Sequence, residues 1–497
     1  MANIDIFPDV ERFLSESKSL FIAGEWVKPI AGGSFTVENP ANRQVIATVS
    51  SAEKEDVDRA VQAARYALEG VWGRVQPSER TRLMLRLADL VEEDAHHLGQ
   101  IISLENGKPY TNAYSGEVVI TANILRYFAG WPSKIEGSTI PISPRSGAQM
   151  LNYTVKEPVG VCAMIVPWNF PLSMCAWKLG PALATGCTAV LKPAEQTPLS
   201  SLRLAELIQR AGFPGGVVNV VTGFGEGAGA PLAAHPDVDK IAFTGSTAVG
   251  RLIAQAAVGN MKKVSLELGG KSPNIILPDA DIIRAAKGAA DGIFYNQGQV
   301  CTAASRLYVH DSVLEQTLDE LRKHASAHVI GPGLDPSTTM GPLVSSDQYE
   351  IVRGYISKAI DEGAELICGG KTPDYLSDGY FMEPTVFLDK QEKACIAREE
   401  IFGPVVTVMS WSDIDELVYR ANNTPFGLAA GVWTNNLQQA HRIAAQLKAG
   451  SVWVNCWNVV DPASPFGGYK QSGWGREMGK NVIDAYTETK SVFIDLS

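Results

Sequence analysis

Between Val159 and Gly270 the chain alternates apolar runs of strand length with stretches of helical pattern. "VGVCAMIVPW" predicts a strand and "PLSMCAWKLGPALATG" a helix, and "TAVLKP" with "LSSLRLAELIQRAG" repeats the pair. "GVVNVVTG" and the short "EGAGAPLAAH" follow, then "KIAFTG" with "STAVGRLIAQAAVG", and "KVSLELGG" closes the series. Strands that are apolar on both faces and joined by helices predict a parallel sheet covered on both sides. Ligands of such sheets bind outside the carboxyl ends of the strands. Those ends are "PWNFP", "KPAE", "TGFGEG", "FTGST" and "LELGGK".

On the N-terminal side, residues 56–70 carry Val57, Ala60, Val61 and Ala64 at helical spacing, and a second helix starts near Ser78 with Leu83, Leu87, Leu90 and Val91 on one face. Residues 137–158 are rich in Ser and Pro, and Leu151, Tyr153 and Val155 alternate with Asn152, Thr154 and Lys156. That alternation predicts a protruding ribbon. Beyond 268 a second α/β series begins: "RLYVH", helices near 311–329 and 346–363, "AELIC", "GPVVTVMSW", "DELVYRANN", "LAAGVWT", "NLQQAHRIAAQL" and "GSVWVNC", with a final strand in "TETKSVFIDL". The expected fold is α/β: a Rossmann-like parallel-sheet domain from 1–136 and 159–268, a second α/β domain over 269–480, and a small β-ribbon arm from 137–158 and 481–497. A chain of 497 residues has room for two or three domains.

Composition narrows the function classes. A net charge of −11 argues against a nucleic-acid partner, because such proteins concentrate positive charge. No apolar window reaches the about 20 residues of a membrane span, and the acidic N-terminus interrupted by Pro8 is not a secretory signal. The seven cysteines are scattered, with no CxxC pair and no zinc-like grouping with His. These features predict a cytoplasmic, metal-free protein without disulfides.

Candidate chemistry gathers at the strand ends. "GFGEGA" (223–228) matches a dinucleotide fingerprint between a strand and a helix. It stands on the third strand, and the acidic residue expected after the next strand is missing, so alone it reads as a glycine-rich turn. Lys192 and Glu195 in "KPAE" could serve a ribose or simply cap a solvated loop. In "FTGSTAVG", Ser246, Thr247 and free backbone amides meet a helix N-terminus, a setting that suits pyrophosphate. Three such features on one sheet edge favour a nucleotide. Glu267 ends an apolar strand before two glycines; desolvation there would raise its pKa and suit it to general-base work, the competing reading being a paired ion. Cys301 follows Asn296, Gln297, Gly298 and Gln299 in "YNQGQVCTAASR", a polar setting unlike that of a structural thiol.

Taken in order and spacing, "PWNFP", "KPAEQTP", "FTGST", "LELGGKSP", "NQGQVC", "EEIFGPV" and "PFGGYKQSGWGRE" resemble the NAD(P)-dependent aldehyde dehydrogenase superfamily, and the resemblance runs from "LFIAGEWV" to "TETKSV". It implies that Cys301 is the nucleophile, Glu267 the general base and Asn169 the oxyanion donor, with Lys178 and Glu477 a pair relaying the proton of Glu267. It implies cofactor contacts at Trp168, Lys192, Glu195, Gly225, Gly229, Phe243, Gly245, Ser246, Leu268, Glu399 and Phe402. The carboxylate of Glu195 implies NAD, with weaker use of NADP. Phe170, Met174, Trp177, Tyr295, Trp457 and Phe466 resemble the lining of the family's substrate tunnel. Five of these six are aromatic, which suits a hydrophobic, aryl aldehyde.

Within the family, "WKLGPALATGC", "NQGQVCTAASR" and "VDPASPFGGYKQSG" look closest to phenylacetaldehyde dehydrogenases. Betaine aldehyde, held by cation–π contact, and a broad range of aliphatic aldehydes are the alternative substrates. A CoA-acylating relative would lack Glu267. A cysteine hydrolase would need a histidine beside the thiol, and a catalytically retired structural protein would have lost its catalytic residues. Cys162, Cys175 and Cys187 read as buried thiols, whereas Cys456 falls in a loop that resembles the substrate-facing one. The long edge-like segments 137–158 and 485–497 imply a homo-oligomer, a tetramer or failing that a dimer.

Overall fold

The apolar runs of 159–270 form the strands Val161–Ile165, Thr188–Lys192, Val218–Val220, Lys240–Thr244 and Lys263–Glu267 in the computed structural model, which describes residues 4–497. All five are parallel, and numbered in chain order they lie 3-2-1-4-5. The first three bury every residue, as the absence of polar alternation requires. The order reverses between Val161–Ile165 and Lys240–Thr244, which opens a crevice at their carboxyl ends.

Edge strands extend this sheet on both sides. Leu20–Ile22 and Glu25–Val27 add antiparallel beyond Val218–Val220. Gly473–Trp474 adds antiparallel to Lys263–Glu267, so a short piece of the 269–480 segment joins this sheet. Among the helices, Lys54–Glu69 opens with a capping box between Glu53 and Asp56, and Pro77–Glu93 buries Leu83, Leu87, Leu90 and Val91. The helix Ser173–Thr185 is buried all round.

A second sheet has the order Glu365–Cys368, Thr385–Leu388, Val405–Trp411, Arg306–His310, Pro273–Ile276, Ala429–Trp433, Ser451–Val454. Glu365–Cys368 pairs antiparallel and the rest are parallel. The helix Ile282–Phe294 leads into the Cys301 segment, which ends at Arg306–His310.

Only Met150–Pro158 of the segment 137–158 is a continuous strand, and it pairs antiparallel with Thr487–Asp495 over nine residue pairs. Its burial does not follow the apolar–polar alternation. Asn152 is buried, its Nδ2 donating to the Val492 carbonyl, while Leu151, Phe493, Ile494 and Leu496 are exposed. Among the described residues, no helix is long and apolar enough to cross a membrane.

Candidate active site

Cys301 follows a short irregular turn, Tyr295–Gly298, at the end of the helix Ile282–Phe294. Asn296 (φ 49°, ψ 39°) and Gln297 (φ 57°, ψ 29°) are both left-handed and buried. Gly298 is left-handed too (φ 70°), and a Cβ there would lie 2.0 Å from the Gly403 carbonyl oxygen, so only glycine fits. Hydrogen bonds hold this turn. Asn296 Nδ2 donates to the carbonyls of Asn169 (3.1 Å) and Gln299 (3.3 Å), and Gln299 Oε1 accepts from Val344 N–H (3.0 Å). The amide side chains of Asn296 and Gln299 therefore serve backbone geometry rather than a thiolate. Burial pushes the Cys301 thiol up to about 12, and Glu267 and Glu400 add to the rise.

Glu267 ends its strand almost fully buried. Neither carboxylate oxygen has a hydrogen-bond partner among the described residues, so it is no paired ion. Burial raises its pKa well above the carboxylate range, Glu477 adds to the rise, and Lys178 and Arg476 oppose it. Lys178 and Glu477 do form an ion pair, both side chains being at most 1% exposed, and Lys178 also donates to Thr244 Oγ1 at 2.7 Å. Asn169 is buried, and its Nδ2 gives one hydrogen to the Gln299 carbonyl (3.0 Å), leaving the other for a ligand.

Two cavities meet at Cys301. One, of about 250 Å³, is lined by Trp168, Asn169, Gly245, Ser246, Glu267, Leu268, Glu400 and Phe402 among others. It lies at the crevice where the strand order reverses. Trp168 and Phe402 meet edge to face, with centroids 5.3 Å apart. Ser246 caps the helix Thr247–Ala257, its Oγ accepting from Val249 N–H (3.2 Å). Lys192 is buried 3.4 Å from Glu195, and an added Cβ on Gly229 would touch the Lys192 chain. These three gather beside the crevice without lining that cavity.

A dinucleotide fits this surface. A Cβ on Gly245 would strike the Phe243 ring at 2.5 Å, so bare backbone faces the cleft there, and nothing lies within 4 Å of a Cβ built on Gly225. Glu195 keeps a third of its side chain open for a ribose. The "EEIF" assignment needs one correction. Glu399 is half exposed and bonds Tyr355 Oη (2.9 Å) away from the cleft. Glu400 is the carboxylate lining the cavity, its Oε1 accepting from Gly270 N–H (2.8 Å), and burial lifts it to about 7.

The second cavity, of about 450 Å³, contains all six expected tunnel residues: Phe170, Met174, Trp177, Tyr295, Trp457 and Phe466. Phe170 and Tyr295 stack at 6.2 Å, and Trp177 meets Phe466 edge to face at 4.9 Å. Cys456 lines neither cavity. The sequence reading missed Phe294, Asn458, Val460 and His328, which also line the tunnel. Asn458 Oδ1 accepts from Thr302 Oγ1 (2.9 Å), tying that loop to the residue after Cys301. His328 shares a hydrogen bond with Thr339 Oγ1 (3.2 Å) rather than with the thiol.

The sequence matches the Aldehyde dehydrogenase family over residues 26–492. It is 52% identical over 488 residues to a Bacillus subtilis protein described as a "Putative aldehyde dehydrogenase DhaS", covering 98% of this chain and 97% of the other. Among solved structures, an aldehyde dehydrogenase from Bacillus cereus in complex with NAD+ superposes with a TM-score of 0.97 at 51% identity, over 100% of both chains. An indole-3-acetaldehyde dehydrogenase from P. syringae, in complex with NAD+ and IAA, gives a TM-score of 0.95 at 42% identity, over 98% of each chain. With a thiol, a desolvated carboxylate and a free amide converging between two cavities, this chain belongs to the aldehyde dehydrogenase family.

Proposed function

We propose that this protein oxidises a hydrophobic, aromatic aldehyde of the phenylacetaldehyde type to its carboxylic acid, with NAD as the electron acceptor. The observation that carries the reading is the 450 Å³ cavity walled by aromatic side chains and ending at Cys301. The aldehyde enters by that tunnel, and the Cys301 thiolate attacks its carbonyl carbon. The oxyanion so formed takes hydrogen bonds from the free Asn169 Nδ2 hydrogen and the Cys301 backbone N–H.

When bound across Trp168, Ser246, Leu268 and Phe402, with its adenosine ribose at Lys192 and Glu195, NAD supplies a hydride acceptor and a positive charge that favours the thiolate. As the thiohemiacetal collapses, its C–H electron pair leaves toward that cavity and a thioester remains on Cys301. Glu267, once ionised, takes a proton from water, the hydroxide oxygen attacks the thioester carbon, and the acid departs as the thiolate is restored. The proton then has Glu477 and Lys178 beside it. Glu195 would repel a 2′-phosphate, which makes NADP the weaker cofactor.

The relative described as an indole-3-acetaldehyde dehydrogenase supports an arylacetaldehyde substrate. A homotetramer is supported by the apolar side chains left exposed on the ribbon, Leu151, Phe493 and Ile494; a monomer in gel filtration would contradict it. Seven unpaired cysteines support a cytoplasmic location. The test of substrate is NADH formation with phenylacetaldehyde, benzaldehyde, hexanal, acetaldehyde and betaine aldehyde. Phenylacetaldehyde should give the highest kcat/KM. A higher value for betaine aldehyde or acetaldehyde would overturn the aromatic assignment and leave the enzyme class standing.

A further inference from the structure

Asn169 lies in the connection between the strand Val161–Ile165 and the helix Ser173–Thr185, where no ladder of backbone hydrogen bonds fixes it. Its carbonyl oxygen nevertheless accepts two side-chain hydrogen bonds, from Lys108 Nζ at 2.8 Å and Asn296 Nδ2 at 3.1 Å. Lys108 is 1% exposed, its ammonium held by Glu117 Oε2 at 2.6 Å. The other oxygen of Glu117 accepts from Leu172 N–H (2.9 Å) and Ser173 N–H (3.2 Å). One buried ion pair thus grips the connection at its middle and at its C-terminal end. The same ammonium stands 4.2 Å from the centroid of the Phe170 ring, a wall of both cavities.

Asn296 closes the network from the other side. Its Nδ2 also reaches the Gln299 carbonyl, the acceptor to which Asn169 Nδ2 donates. The backbone of Asn169, its side-chain amide and the turn before Cys301 therefore form one connected set of bonds. Neither Lys108 nor Asn296 lines a cavity, so neither touches substrate.

For stability alone, a buried ion pair is a poor device, because desolvation consumes most of its Coulombic gain. A charge-assisted bond does fix the direction of its acceptor, which an apolar contact cannot do.

We propose that Lys108 and Asn296 are positioning residues for the reaction: they fix the Asn169 backbone so that its side-chain amide meets the oxyanion formed at Cys301. The proposal rests on the reading of Asn169 as oxyanion donor. Its test is a double-mutant cycle on kcat for phenylacetaldehyde oxidation, with KM for NAD and the rate of Cys301 alkylation by iodoacetamide as controls.

Asn169→Ala should lower kcat about 100-fold or more. Lys108→Met should lower it about 10-fold to 100-fold by misplacing the amide, leaving both controls within about twofold. Combined with Asn169→Ala, Lys108→Met should cost nothing further, because its effect passes through Asn169. Should Lys108→Met fail to fold, Asn296→Gly decides. It keeps the left-handed backbone, loses the amide, and should show the same signature with a smaller loss. Full multiplicative losses in the double variants, or normal kcat in both Lys108→Met and Asn296→Gly beside a slow Asn169→Ala, would overturn the positioning role alone. A fully active Asn169→Ala would overturn the oxyanion reading beneath it.

Discussion

The two cavities that meet at Cys301 are built from different materials. The 250 Å³ side brings two carboxylates, Glu267 and Glu400, to a sheet edge where strand ends and a helix N-terminus leave backbone groups open. The 450 Å³ side is walled by Phe170, Trp177, Phe294, Tyr295, Trp457 and Phe466, with polar groups such as Asn458 and Thr302 on its margin. A charged, donor-rich surface suits a dinucleotide and the handling of protons, whereas an aromatic wall selects a substrate by shape and desolvation. Cys301, Phe170, Met174, Trp177 and Phe466 line both, whereas Glu267 and Glu400 line the first and not the second, and Tyr295 and Trp457 the second and not the first, so binding and chemistry are separable at those side chains.

That separation can be broken by substitution. Cys301→Ala removes the nucleophile at which both sides meet, and NADH formation should fall by more than about 1,000-fold with every aldehyde, as expected when a covalent nucleophile is lost. Glu267→Gln leaves attack and hydride departure but not water activation. Steady-state turnover should fall about 100-fold to 10,000-fold while a stopped-flow burst of about one NADH per site survives. Trp457→Ala acts on the tunnel alone and should raise KM for phenylacetaldehyde about tenfold, with KM for NAD unchanged. Glu400→Gln should raise KM for NAD several-fold without changing aldehyde preference, and Glu399→Gln should do neither, since Glu399 faces Tyr355.

The pH dependence of thiol reactivity sharpens the picture with a smaller effect. Only the thiolate reacts. Burial together with Glu267 and Glu400 raises the Cys301 pKa to about 12, so the thiol is protonated at neutral pH without cofactor. Deprotonation increases with pH, and iodoacetamide alkylation should climb about tenfold per pH unit through about pH 9 without a plateau. A plateau below neutrality would mean that the resting thiol is already ionised.

Much of the crevice is legible from the sequence, because strands buried on both faces advertise themselves as unbroken apolar runs. Val161–Ile165 and Thr188–Lys192 are of this kind, and every residue in them is buried. Pro273–Ile276 and Thr385–Leu388 are four residues each, start at or just after a proline, and give no period to detect. Adjacent glutamates in an irregular stretch carry no local pattern that separates them, so the sequence does not tell Glu400, which lines the cavity, from Glu399, which bonds Tyr355. Burial in the ribbon strand departs from its alternation, and its partner Thr487–Asp495 lies 329 to 345 residues away, beyond the reach of any local pattern. The grip of Lys108 and Glu117 on the Asn169 connection is equally non-local, with sequence separations of 61 and 55.

The most direct test of two cavities meeting at one thiol is intact-mass analysis of Glu267→Gln after brief mixing with phenylacetaldehyde and NAD. The account predicts a phenylacetyl adduct on Cys301 that forms only when both are present and is absent from Glu267→Gln carrying Cys301→Ala. An adduct formed without NAD, one on another residue, or none despite an NADH burst, would contradict it.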